Sequence, residues 1–203
     1  MLRLEHISHT YGSDEVLHDV SLEIAPKSFV VITGESGSGK STLLSVVSTL
    51  LRPTQGALLF DGTPVEKIEN IDRFRNERVG FVFQFHYLIN HLSVYENIAM
   101  VTRRPREAIV ALLERLGIAE LADKYPDAIS GGQRQRAAIA RALINEPDYI
   151  FADEPTGNLD SHNSKIVFDL LRGLDATVIV ATHDRSLIRP EDQEISLKDG
   201  VLC

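Results

Sequence analysis

Unbroken apolar runs occur at Phe29-Val30-Val31-Ile32-Thr33, Val79-Gly80-Phe81-Val82-Phe83, Tyr149-Ile150-Phe151-Ala152 and Thr177-Val178-Ile179-Val180-Ala181-Thr182. Short β-branched runs of this kind predict strands buried on both faces of a parallel sheet. The start of the chain differs. Leu2, Leu4 and Ile7, then Val16, Leu17, Val20, Leu22 and Ile24, predict an antiparallel pair with a turn at Thr10-Tyr11-Gly12. Arg52–Gly56 reads as a turn, Ala57–Phe60 as a strand and Asp61-Gly62 as a hairpin turn. Helical spacing marks Leu43, Leu44, Val46, Val47, Leu50 and Leu51, so a helix begins near Lys40. The same spacing recurs in Ala137, Ala138, Ile139, Ala142, Leu143 and Ile144. Two further helical patterns, Ser93 to about Val101 and Arg106 to Leu116, have no strand between them. The pattern predicts one α/β domain over 1–203, with a core at about 1–92 and 130–203. A helical subdomain at about 93–129 is inserted into it.

Chemistry enters between the first apolar run and its helix. Gly34-Glu35-Ser36-Gly37-Ser38-Gly39-Lys40-Ser41 fills the pattern G-x-x-x-x-G-K-[ST] without a mismatch, and Thr42 follows. Strand, glycine loop and helix together make this a phosphate site. Glycines let successive N–H groups turn inward on an anion, and the helix start adds partial positive charge. Lys40 is expected at the β- and γ-phosphates, with the Ser41 hydroxyl on Mg²⁺.

Three other places carry chemistry. Ser130-Gly131-Gly132-Gln133 has the spacing of a capping box, yet its two glycines also leave a helix start bare enough for a phosphate. Both readings hold together. The run ending at Ala152 closes on Asp153-Glu154. Solvated strand-end acids are the plain alternative, but beside a phosphate loop the spacing suits Asp153 on Mg²⁺ through water and Glu154 as general base. His183 follows the Thr177–Thr182 run, where open α/β sheets bind ligands, and is a candidate γ-phosphate contact.

Composition removes several alternatives. At 203 residues and 43% hydrophobic, the chain is long enough for one good core. A net charge of -8 argues against a nucleic-acid or anionic-membrane surface. One cysteine, Cys203, excludes a disulfide framework and suits a reducing compartment. No apolar run resembles a signal peptide or a bilayer span.

Tyr11, the phosphate loop, Gln84, Ser130–Gln133, Asp153-Glu154, Asn158-Leu159-Asp160 and His183 occur in one order. With these motifs the whole chain resembles the nucleotide-binding subunit of an ATP-binding cassette (ABC) transporter. The resemblance implies a P-loop NTPase core with a mixed sheet flanked by helices, an antiparallel β subdomain and a helical insert. It implies ATP and Mg²⁺ as ligands, with Tyr11 as the platform for the base and Ser36, Gly37, Ser38, Gly39, Lys40, Ser41 and Thr42 around the phosphates. It further implies a head-to-tail pair of copies, in which each ATP also meets Ser130 and Gly132 of the second copy. Gln84 would contact Mg²⁺ and the attacking water and link to a membrane permease, and Asp160 would bridge the copies. Asp153–Asp160 and Val82–Ile89 are similar to the macrolide-exporter and lipoprotein-release type. The resemblance implies a subunit at the cytoplasmic face of the membrane, held there by the permease, that powers export or extraction of a hydrophobic or amphipathic substrate of the macrolide, peptide, haem or lipoprotein class. Ile129 stands where the family has Leu, the insert near Val101–Arg106 is short, and no C-terminal regulatory domain is expected.

The loop after Gln84 is unusually apolar. Five of the 13 aromatic residues are Phe81, Phe83, Phe85, Tyr87 and Tyr95, with Leu88, Ile89 and Leu92 among them. Phe81 and Phe83 belong to a core strand. Phe85, Tyr87, Leu88, Ile89 and Leu92 suit a groove for a short helix of the permease, or packing into the subunit's own core. Two rivals remain in other classes: a soluble ABC ATPase of DNA repair or translation, and a small-molecule kinase. The first would bring long insertions or two cassettes, and the second would lack Ser130–Gln133.

Overall fold

Val30, Val31 and Ile32 are buried in the middle of the molecule, and the sheet is built outward from them. The computed structural model describes Met1–Cys203. Strand β3 (Phe29–Thr33) lies between β8 (Thr177–Ala181) and β9 (Gln193–Lys198). The sheet continues through β7 (Tyr149–Asp153) to β6 (Val79–Val82), and β10 (Val201–Leu202) closes the far edge. Pairing is parallel from β9 to β6, and only β10 runs antiparallel. The unbroken apolar runs are explained: β8 is buried at every position, so neither face needs polar residues.

The antiparallel start forms its own sheet. Strands β1 (Leu2–Tyr11), β2 (Asp14–Ile24), β4 (Gln55–Phe60) and β5 (Thr63–Pro64) lie in the order β2-β1-β4-β5. Tyr11 ends β1 rather than sitting in the turn, and Gln55-Gly56 belongs to β4. Helix α1 (Lys40–Val47) is the link between the sheets. Its Leu43, Leu44, Val46 and Val47 share one apolar cluster with Leu4, Leu17 and Leu58 on one side and Ile32, Phe151 and Ile179 on the other. Each such side chain stabilises the fold by roughly 1.5–3 kcal/mol on burial.

The other face of the parallel sheet packs against α5 (Gly131–Leu143) and α6 (Ser161–Arg172), through Ile139, Val167, Phe168 and Leu171. The expected helices form as α3 (Val94–Ala99) and α4 (Arg106–Arg115). Their cluster, with Ile98, Ile109 and Leu113, also draws on Ala137, Ala140 and Ile144 around α5. A short α2 (Ile71–Arg78) precedes β6, capped by the Asn70 side chain. One arrangement decides the chemistry. The carboxyl ends of β3, β6, β7 and β8 lie side by side, with Ile32 beside Ala181, Asp153 beside Ala181 and Val82 beside Ala152.

Candidate active site

The phosphate loop, Gln84, Glu154 and His183 each follow one of those four strand ends. After β3 the loop turns through Gly37 and Gly39 at φ +82° and +98°, backbone that L side chains rarely adopt. Gly39 starts α1 with no side-chain cap, so the first N–H groups of the helix are left for another acceptor. Lys40 is buried, and its Nζ donates to the carbonyls of Gly34 at 2.9 Å and Glu35 at 2.8 Å. The Ser41 hydroxyl donates to Asp153 Oδ1 at 3.1 Å, tying the loop to the end of β7. Burial raises the Asp153 carboxyl above its usual range; the Ser41 bond opposes this, and Glu154 adds to it.

Glu154 is held from two sides. Its Oε1 lies 2.9 Å from His183 Nδ1, and its Oε2 accepts from the Thr182 hydroxyl at 3.3 Å. Its backbone sits at φ +44°, unusual for a residue with a side chain, and its N–H donates to Ala181 O at 2.9 Å. Gln84 follows β6 and packs against Gly157, where a Cβ would come within 2.8 Å of its Nε2. Asn158 Nδ2 donates to the Gln84 carbonyl at 3.3 Å.

These groups share one cleft of about 470 Å³. Its lining is Tyr11, Val16, Ser36, Gly37, Gly39, Lys40, Ser41, Thr42, Gln84, Glu154 and His183. Asp153 lies beneath Ser41, and Ser38 is buried with its hydroxyl unpartnered. Tyr11 is 52% exposed, with buried His9 edge-on to its ring at 4.7 Å. A hydroxyl, a carboxylate and an amide oxygen (Ser41, Asp153, Gln84) form a hard oxygen donor set that fits Mg²⁺.

Ser130, Gly131, Gly132 and Gln133 are not in the cleft lining. They form a complete capping box: Ser130 Oγ accepts from Gln133 N at 3.3 Å, and Gln133 Oε1 accepts from Ser130 N at 2.8 Å. Asp160 is also away from the cleft and caps α6, its oxygens taken by Asn163. Those bonds hold its carboxyl below the usual range. Val16 and Thr182 read in the sequence only as strand positions, not as site residues. Val16 is one apolar position among many in an alternating strand, and Thr182 is a polar residue closing an apolar run.

The loop after Gln84 divides. Phe85 and Tyr87 are 59% and 63% exposed, while Leu88 packs against the helical cluster. Tyr87 and Ile89 line a second cavity of about 470 Å³ with Leu50, Phe81, Phe83, Met100 and Val101. Arg141 of α5 fixes this loop by donating to the carbonyls of His86 at 2.9 Å and Tyr87 at 2.7 Å.

A family model described as "ABC transporter" matches residues 17–157. The lipoprotein-releasing system ATP-binding protein LolD of Bacteroides fragilis is 39% identical over 98% of the chain and 99% of its own length. The macrolide export ATP-binding/permease protein MacB of Syntrophobacter fumaroxidans is 41% identical over the whole chain but only 31% of its own length. A dimeric structure of the ATP-binding cassette MJ0796 in a post-hydrolysis state with ADP and Pi superimposes with a TM-score of 0.88. It is 35% identical, with all of this chain and 96% of that one covered.

Proposed function

The chain belongs to the ABC transporter family, as the ATPase component that works with a separate membrane component, and on that premise we propose how the cleft performs hydrolysis. ATP enters with its base on Tyr11 and its phosphates against the N–H groups from Ser36 to Thr42. Lys40 releases its two carbonyls and turns to the β- and γ-phosphates. Ser41 and Gln84, with Asp153 through water, would hold Mg²⁺, which would supply charge neutralisation at those phosphates when bound. Glu154 takes the proton of the attacking water as general base. Thr182 and His183 hold its carboxylate in place, and His183 also reaches the γ-phosphate. One observation carries this reading: four strand ends bring Lys40, the Ser41–Asp153 pair, Gln84 and the Glu154–His183 pair around a single cleft. Lys40→Ala should abolish Mg-ATP binding measured by calorimetry on the purified chain. Unchanged affinity would move the phosphate site elsewhere.

The second half of the site comes from a second copy. Ser130, Gly131, Gly132 and Gln133 present a helix start away from their own cleft, as a head-to-tail pair requires, with Asn163, the partner of Asp160, against Gly132. The helical subdomain, taken as about 93–129, carries this helix start toward the partner.

The cavity beside Tyr87 receives a short helix of the permease. Its apolar wall continues from Gln84, so docking and phosphate contact share one loop. Tyr87 and Met100 are its exposed anchors, each worth roughly 2 kcal/mol or more. The double change to Ala should release the permease in a pull-down while the chain still binds ATP. Leu88 packs inward and is the wrong residue for that test.

The cargo is amphipathic and of the lipoprotein-release class. Support comes from relatives of that name matched over nearly their whole length, whereas the macrolide relative carries its permease in the same chain. The complex works at the cytoplasmic face of the membrane. The relatives give no support to a repair or translation ATPase.

A further inference from the structure

The turn at Asp199-Gly200 joins β9 to β10 and lines no part of the nucleotide cleft, yet it touches both sides of it. The Gly200 N–H donates to the carbonyl of Ser38 in the phosphate loop at 3.1 Å. The Gly200 carbonyl accepts from His18 N in β2 at 3.0 Å. One residue thus bonds the loop that takes the phosphates and the strand that carries Val16. Val16 lines the cleft, and Tyr11 lies across the same hairpin, paired with Asp14.

The contact is backbone against backbone, and glycine is what permits it. Gly200 has φ +76°, and a Cβ there would lie 2.4 Å from Val16 O and 2.7 Å from His18 Cδ2. A Cβ on Gly34 would lie 2.2 Å from Leu197 O. One on Gly39 would lie 3.0 Å from Val16 O and 3.4 Å from Leu197 Cδ2. Three glycines therefore clear the space where β2, the phosphate loop and the β9–β10 hairpin meet. Tyr11 and Val16 belong to one sheet, and the phosphate loop follows β3 of the other.

We infer that Gly200 is a positioning residue that fixes the distance between the base platform and the phosphate loop. The inference rests on the reading of the cleft as the ATP site. ATP must satisfy both ends at once, so a fixed spacing lowers the ordering cost of binding. A ligand that uses only the phosphate end gains nothing from that spacing.

Gly62 supplies the control. It sits in the β4–β5 turn at φ +81°, with nothing within 4 Å of a Cβ built on it. Gly62→Ala and Gly200→Ala both force a side chain into left-handed backbone, but only the second pushes on Val16. Mg-ATP and inorganic tripolyphosphate are titrated into both variants and the parent, with melting temperatures recorded. Gly200→Ala should weaken Mg-ATP roughly tenfold and tripolyphosphate less than about twofold. Gly62→Ala should lower the melting temperature and leave both affinities unchanged. Parent-like ATP affinity in Gly200→Ala overturns the inference, and so does an equal loss of both ligands. Hydrogen exchange on the unmodified chain gives a second test that does not depend on the variant folding. Mg-ATP, but not tripolyphosphate, should slow the amides of His18 and Gly200, and no slowing would overturn the inference. A parent that fails to bind Mg-ATP would condemn the reading of the cleft itself.

Discussion

The starts of α1 and α5 both carry glycines, and they have opposite surroundings. Helix α1 begins at Gly39 with no side-chain cap and opens into a cleft holding Lys40, Gln84, Glu154 and His183. Helix α5 begins at Ser130 with a full capping box, and a Cβ on Gly131 would meet nothing nearer than Asn158 O at 3.9 Å. The first is unfinished as a helix and nearly finished as a site. The second is the reverse. On the proposed head-to-tail pairing, this capped start meets a phosphate only when a second copy brings one to it.

The largest expected effect breaks the first helix's site without touching the second. Glu154→Gln should lower ATP turnover by roughly 10²–10⁴-fold, the range for losing a general base. Nucleotide binding should persist, because the amide keeps the shape of the side chain. Light scattering on this variant should show monomers in nucleotide-free buffer and dimers with Mg-ATP. Near-normal phosphate release would assign the base to another residue.

Mixing two damaged copies tests whether the sites are composite. Lys40→Ala disables one helix start and Ser130→Arg the other, so each variant alone should lose most of its ATPase activity, about 10²-fold or more. A mixed pair rebuilds one intact site from the undamaged halves. Activity that does not return on mixing would argue that each chain hydrolyses alone.

A remote change should separate stability from binding. Arg172 stacks over Phe29 and Phe168 and donates to Asp192, whose side chain is only 1% exposed. Asp192→Asn should destabilise the chain by roughly 1.5–3 kcal/mol in urea, the worth of hydrogen bonds to a charged group, because Arg172 keeps only Asp169 and the Leu187 carbonyl as partners. ATP affinity of the folded fraction should not change. Burial alone would raise the Asp192 carboxyl, but the Arg172 guanidinium and the Arg189 N–H outweigh it and hold it below the usual range. Its contribution is therefore present above the unfolded value of roughly 4 and is lost as pH falls through the lower folded value. The parent should lose more stability than Asp192→Asn on acidification, and equal loss in both would remove Asp192 from the account.

The smallest effect is the cap. Ser130→Ala should cost about 1 kcal/mol of stability, the usual worth of such a cap. Gly39→Ala should not show the same pattern, since no side-chain cap exists there to lose. A larger loss in turnover than in stability for Ser130→Ala would support contact with a phosphate from the second copy.

Much of this contrast was legible before any coordinates. The phosphate loop, the capping box and the acids at the end of β7 are local patterns, and local spacing dictates them. Strands β3, β7 and β8 announced themselves because burial on both faces leaves no polar position to confuse the period. Strands β9 and β10 did not. β9 reads Gln-Glu-Ile-Ser-Leu-Lys, with only Ile195 and Leu197 buried, and β10 has two residues. Helix α2 was equally quiet, since none of its residues is buried. The hold of His183 and Thr182 on Glu154 joins residues 28 and 29 positions apart, which no spacing rule connects. The same is true of the turn at Gly200, whose partners Ser38 and His18 lie near the other end of the chain.

The place of β3 in its sheet also imposes an order in time. Its two neighbours are β8 and β9, so the strand that leads into the phosphate loop is flanked by residues 177–181 and 193–198. At synthesis rates of about 5–20 residues per second, residues 29–33 wait roughly ten to thirty seconds for their second neighbour. During that interval β1, β2 and β4 can pair, because the last of them is complete by residue 60. The nascent protein therefore carries its phosphate-binding sequence long before it has a phosphate-binding loop. Chains stalled on the ribosome before Gln193 should fail to retain ATP. ATP binding is expected only once residues 193–198 have been made and have paired with β3.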